Sequence, residues 1–116
     1  MKLRTVYFKV PDMQEAIKFY SAFLEMEAHK SSAVWSEFQI GEVRLGLLST
    51  TDGNPSKQSY CVPIFEFEEY EIMRRIDAIT TLGARIIADG LDDPGVQSMT
   101  LADPFGNEFE VSRVHD

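Results

Sequence analysis

The hydropathy pattern of the chain runs through one order of periods twice. Alternation gives way to a helical stripe and then to three more short alternating stretches, first over residues 3–49 and again over residues 59–113. Shifted by 57 residues, Val6-Tyr7-Phe8-Lys9-Val10 falls on Pro63-Ile64-Phe65-Glu66-Phe67, and a helical pattern follows both. Identity across the halves is weak. The match is one of pattern, which is what a duplicated supersecondary unit leaves behind. A period that switches from 2 to 3.6 and back marks strands broken by a helix. The class expected is α+β, in the form of two βαβββ modules.

In the first half, Leu3, Thr5, Tyr7 and Lys9 share one face of residues 3–10, and Arg4, Val6, Phe8 and Val10 the other. The β-branched and aromatic content is that of a strand, and Pro11 ends it. Asp12 is placed to cap a helix over 13–24, with Glu15 completing a capping-box-like pair. Ala16, Phe19, Tyr20, Phe23 and Leu24 form its apolar stripe, so Phe19-Tyr20 reads as core. Strands are expected near 25–30, 33–40 and 42–49, the last two joined by a turn at Gly41.

The polar run 51–58, with Gly53 and Pro55, reads as the linker between module one (1–50) and module two (59–116). A strand over 59–67 then precedes a helix over 69–82, with Ile72, Ile76 and Ile79 at helical spacing and Gly83 as its C-cap glycine. Pro63 lacks an amide donor, which places that strand at an edge or makes it irregular. Strands near 84–88, 97–102 and 107–113 complete the half. Asp103-Pro104-Phe105-Gly106-Asn107 is the turn between the last two.

A chain of 116 residues is the size of one domain, 1–116. Eleven basic against 19 acidic residues, a net charge of −8, leave no basic footprint for nucleic acid or for an anionic membrane surface. The balance speaks first to plain solubility and is compatible with a cationic or zwitterionic ligand. The single cysteine, Cys61, excludes an internal disulfide and reads as a buried inert thiol beside Phe65 and Phe67. No apolar run approaches the roughly 20 residues that span a bilayer. The N-terminus enters a strand pattern directly, so a cytoplasmic protein is expected.

The stretch Val6-Tyr7-Phe8-Lys9-Val10-Pro11-Asp12, followed by Ala16-Ile17-Lys18-Phe19-Tyr20 and Leu24, resembles the opening of glyoxalase, bleomycin-resistance and extradiol-dioxygenase proteins, the vicinal oxygen chelate superfamily. Asp103-Pro104-Phe105-Gly106-Asn107-Glu108-Phe109-Glu110-Val111 resembles their terminal Asp-Pro-x-Gly-Asn turn and strand. Leu24-Glu25 stands where these proteins usually carry Leu-Gly, so the first helix is expected to end differently or to run on. The resemblance implies a cupped mixed sheet with helices on the outside, and a homodimer.

In the superfamily's enzymes one divalent metal sits inside the cup, held by His, Gln or Glu from the first and last strands of each module. Those positions fall here on Thr5, on Val62, on or near Gly46, and on Glu110. Thr5, Val62 and Gly46 are not ligands for zinc or for a harder cation. No metal and no other cofactor is therefore expected, and a metal-dependent lyase or dioxygenase is disfavoured. His29 and His115 lie away from these positions and read as surface residues.

By the same resemblance Thr5, Tyr7 and Lys9 point into the cup, as do Tyr60, Val62, Ile64 and Glu66, and Glu108, Glu110 and Ser112. Arg44 and Leu48 flank Gly46. Trp35, the one tryptophan, is either a stacking platform for a flat ligand or a core or interface residue. Glu110 either binds a cationic group or takes a hydrogen bond from Tyr7 or Thr5. The candidate ligand-binding set is Thr5, Tyr7, Trp35, Arg44, Tyr60, Val62 and Glu110, with no catalytic residue assigned. The function expected is sequestration of a small organic ligand, a drug-like or cationic/aromatic metabolite, without metal. The alternative is a superfamily enzyme of lyase, isomerase or dioxygenase type, with relocated metal ligands or with metal-free acid–base chemistry through Glu110.

Overall fold

Each run of alternating hydropathy becomes a strand and each 3.6-residue stripe a helix in the computed structural model, which describes residues 4–50 and 62–114. The chain divides into two compact units, Met1–Lys57 and Gln58–Asp116. The expected linker 51–58, Tyr60, Cys61 and His115 lie outside the described residues.

The first unit runs β1 (Thr5–Val10), α1 (Met13–Leu24), β2 (Lys30–Ser31), β3 (Trp35–Ile40) and β4 (Val43–Ser49). The sheet order is β1-β4-β3-β2, with β4 parallel to β1 and antiparallel to β3. A parallel pair needs a long crossover, which α1 and the β2–β3 hairpin supply. Side chains of Phe8, Val10, Phe38, Leu45 and Leu47 are buried, and α1 packs on β4. Phe19, Tyr20 and Phe23 are fully buried, with Tyr20 stacked on Phe8 at 5.7 Å and edge-on to Phe19 at 4.9 Å. The Phe19-Tyr20 pair is core, as its spacing predicts.

Asp12 caps α1: its Oδ1 accepts from the Glu15 amide at 3.1 Å. Replacing Asp12 by alanine is expected to cost about 1 kcal/mol in chemical unfolding, because one helix-end amide loses its acceptor. The helix stops at Leu24 without a glycine. Glu25 itself takes the left-handed conformation, φ 55°, and its amide reaches Ser21 O.

The second unit repeats the topology with β5 (Ile64–Phe67), α2 (Glu69–Thr80), β6 (Arg85–Asp89), β7 (Ser98–Ala102) and β8 (Glu108–Arg113), in sheet order β5-β8-β7-β6. Ile72, Ile76 and Ile79 of α2 are buried, as are Met99, Leu101, Phe109 and Val111 of the sheet. β5 is an edge strand, and Pro63 lies just before it with its carbonyl accepting from the Glu110 amide at 2.9 Å. α2 ends at Thr80, two residues short of the expected boundary, and its C-cap is Thr81. Gly83, φ 98°, belongs to the turn that follows, and a Cβ there would sit 3.1 Å from Pro104 Cγ. That glycine ends the helix as its sequence position predicts: the Ala84 amide donates to Ile79 O at 3.1 Å and the Gly83 amide to Thr80 O at 3.4 Å, the paired bonds of a Schellman motif closed by a left-handed glycine. Among the described residues no helix is long and apolar enough to cross a membrane.

Candidate functional site

Strand alternation commits one face of the first sheet to the core with Phe8, Leu45, Leu47 and Phe38, and turns the other away from α1. The ladder then sets the rows of that second face. Tyr7 pairs with Gly46, Gly46 with Glu37, and Glu37 with Lys30, so four strands contribute to one central row. Arg44 lies in the row of Thr5 and Gln39, and Trp35 in that of Leu48 and Lys9.

The absence of a side chain at Gly46 shapes this face. The six-membered ring of Trp35 lies over it, where a Cβ would collide with Cζ2 and Cη2. Tyr7 closes the other side, its ring 5.7 Å from the indole at an interplanar angle of 66°. The Trp35 Nε1–H donates to Glu37 Oε2 at 2.9 Å, which holds the indole in orientation.

Glu37 is the residue on which the face converges. It is only 4% exposed. His29 Nε2–H donates to its Oε1 at 2.8 Å, with Arg44 Nε 3.7 Å and Lys30 Nζ 3.9 Å from the same oxygen. Burial pushes the Glu37 carboxyl up, but the hydrogen bonds from Trp35 and His29 and the charges of Lys30 and His29 outweigh it and hold the group below its ordinary value of 4.5. A depressed folded value contributes stability that is present above the unfolded value and is lost as pH falls through the folded one. The wild type is therefore expected to lose stability below about pH 4.5 more steeply than Glu37→Gln, in unfolding curves taken between about pH 6 and pH 3.

Sequence reasoning did not single out Glu37. Its parity with Trp35 puts both on one face, but the register that sets it against Gly46 and Lys30 is a property of the sheet. His29 is a surface residue by exposure, 36% for its side chain, yet its ring is bonded to a buried carboxylate. Of the sequence candidates, Tyr7, Trp35 and Arg44 come together here, and Thr5 stands beside Arg44 at the end of β1.

The second unit carries Val62 and Glu110. Glu110 pairs with Ile64 and Thr100, and Ser98 Oγ–H donates to its Oε1 at 2.7 Å. Its hydroxyl partner is thus on the neighbouring strand of its own sheet. A shallow concavity of about 300 Å³ lies at the end of this unit between Leu91, Asp92, Asp93, Gln97 and Arg113. Its guanidinium is already bonded to Glu69, to Asp92 and to Leu91 O, and these partners, Glu69 first, raise the Arg113 pKa.

The positions at which the resemblance places a divalent metal do not fit one. Gly46 is roofed by the indole, Thr5 and Val62 offer no ligand of the usual kind, and Glu110 is held by Ser98. Among the described residues no group of three or more His, Cys, Asp or Glu side chains is arranged to hold a metal ion.

The sequence matches the model of a glyoxalase-like domain over residues 5–112. No curated protein matches it. Among solved structures, a glyoxalase/bleomycin resistance protein from Albidiferax ferrireducens is 17% identical with a TM-score of 0.78, covering 97% of this chain and 98% of that one. A glyoxalase-related enzyme from Fulvimarina pelagi is 13% identical with a TM-score of 0.80, covering 98% and 88%. A fosfomycin resistance protein from Mesorhizobium loti is 15% identical with a TM-score of 0.73, covering 99% and 92%. At these identities the likeness is one of fold.

Proposed function

The chain belongs to the glyoxalase-like domain family, within the vicinal oxygen chelate superfamily, and from that premise we propose that it binds a small, flat organic ligand on the first sheet's face turned away from α1. The observation that carries this reading is the seating of Trp35 over Gly46. A bulky apolar ring is held in one orientation by a buried carboxylate and a tyrosine, on a surface where a larger residue at position 46 would have displaced it. Aromatic surface that is already ordered loses little entropy when a ligand stacks on it. Such a seat favours stoichiometric capture of an aromatic or drug-like compound. A homodimer in the cytoplasm, with no nucleic acid or membrane as partner, belongs to the same reading.

The test is a thermal-shift screen of flat organic compounds and divalent metals. A ligand at about 100 times its dissociation constant stabilises the folded state by about 2.7 kcal/mol. Organic compounds that raise the midpoint in the wild type but not in Trp35→Ala support the proposal. Stabilisation by a metal alone overturns it. The enzymatic alternative has its point of support in the Ser98 bond, which holds the Glu110 carboxylate in a fixed orientation. Turnover of a bound compound, abolished in Glu110→Gln while binding persists, would decide for that alternative.

A further inference from the structure

The net charge of −8 favours a cationic ligand only if the binding face shares it, and this face does not. Lys30 and Arg44 both stand within 4 Å of Glu37 Oε1, and His29 donates to the same oxygen. One carboxylate is thus set against two permanent cations and an imidazole. Glu37 is spent internally, since its other oxygen holds the indole. The cations keep outward reach: the side chains of Arg44 and Lys30 are 37% and 69% exposed. Arg44 is held through Nε, which donates to Gln39 Oε1 at 3.2 Å, while its terminal nitrogens make no hydrogen bond to the described residues. A guanidinium held at Nε and more than a third exposed keeps its terminal nitrogens for bidentate capture of a carboxylate. Beside it, the indole and the Tyr7 ring form a corner of two aromatic walls at 66°.

From this juxtaposition we infer that the ligand class is an aromatic carboxylate, its ring in the Trp35–Tyr7 corner and its anionic group on Arg44 and Lys30. The inference rests on the binding reading above and adds the sign of the charge. The acidic remainder of the chain opposes such an anion only weakly, because charges beyond about 10 Å are screened at ordinary ionic strength while contacts at the site are not.

The chain has a single tryptophan, so one indole N–H resonance reports on this face. The ¹⁵N-labelled protein would be titrated with 2-naphthoate, with the neutral 2-naphthamide and with the cationic 2-naphthylmethylammonium. The expected result is that naphthoate shifts the indole resonance with an affinity about tenfold or more above that of the other two. In Arg44→Gln and in Lys30→Gln the ratio of naphthoate to naphthamide affinity should fall towards one. If the amide or the ammonium binds as tightly as naphthoate, or if the ratio survives both substitutions, the charge assignment is overturned and ligand binding on this face stands. If none of the three moves the indole resonance, the binding reading of the face falls with it.

Discussion

Gly46→Ala is expected to cost about 3 kcal/mol and to move the Trp35 emission to longer wavelength. The new Cβ would lie 2.5 Å from Trp35 Cζ2, closer still to Cη2, and 3.0 Å from Tyr7 Cβ. Real carbon atoms do not approach so closely, and β4 is pinned by ladders on both sides, so the indole must leave. Its departure takes a donor from Glu37, a carboxylate with almost no access to water, and leaves that charge with His29 as its close hydrogen-bond partner. Overpacking and the lost charged hydrogen bond each contribute one to a few kcal/mol by common experience. Urea unfolding followed by fluorescence reads both effects at once. A double-mutant cycle separates them: in a Trp35→Ala background the same Gly46→Ala change should cost far less, because the clash has been removed. Equal cost in both backgrounds would mean that the glycine serves the backbone and not the indole. Ligand affinity should fall with the emission change, since the stacking surface is what has moved.

Asp103→Ala is expected to be as damaging, at about 4 kcal/mol, for a reason far from any ligand. Asp103 is fully buried, and its carboxylate organises the whole β7–β8 turn. Oδ1 accepts from the amides of Phe105 and Asn107, both at 2.9 Å, and Oδ2 from the Asn107 side-chain amide at 3.0 Å. Backbone bonds from Asp103 N to Asn107 O and from Gly106 N to Asp103 O close the turn around it. Alanine would leave these donors without their acceptor in a place where water reaches poorly, and each such loss costs about 1–3 kcal/mol. Asp103→Asn keeps one acceptor oxygen and should fall between the two. The order wild type, Asn, Ala in urea midpoints at unchanged slope is the result expected. Far-UV circular dichroism is the proper probe, because the sole tryptophan lies in the other unit. A midpoint for Asp103→Ala near that of the wild type would overturn the account.

The same turn shows why part of the molecule was legible in the chain alone. Asp, Pro, Gly and Asn within five residues specify a turn through local chemistry: aspartate accepts from amides two and four residues on, and glycine supplies φ 93°. Asp12 with Glu15 marks the start of α1 for the same reason. Where local chemistry was ambiguous, the boundaries moved. The apolar stripe of α2 continues to Leu82, but the last helical residue is Thr80, and the amides of Gly83 and Ala84 fold back onto Thr80 O and Ile79 O to close the end. Of the segment 25–30 only Lys30 joins a strand, the two-residue β2, and the left-handed Glu25 begins the irregular run that precedes it.

The sequence by itself determined the duplicated βαβββ order, the faces of β1, β3 and β4, and the helix stripes, because these follow from periods of 2 and 3.6 read over a few neighbours. It left Trp35 open between a stacking platform and a core or interface residue, and the register brings it together with Tyr7 and Arg44. Only the tertiary structure decided that Glu37 is their common partner, that His29 reaches it across eight residues, and that Gly46 is the floor under an indole and not a vacant ligand position. Those facts depend on the register between β1, β4, β3 and β2. A one-residue slip of any strand preserves its alternating pattern yet sends every side chain to the opposite face. Register is settled by the joint burial of Phe8, Leu45, Leu47 and Phe38 under α1, a many-body condition that no single stretch of sequence carries.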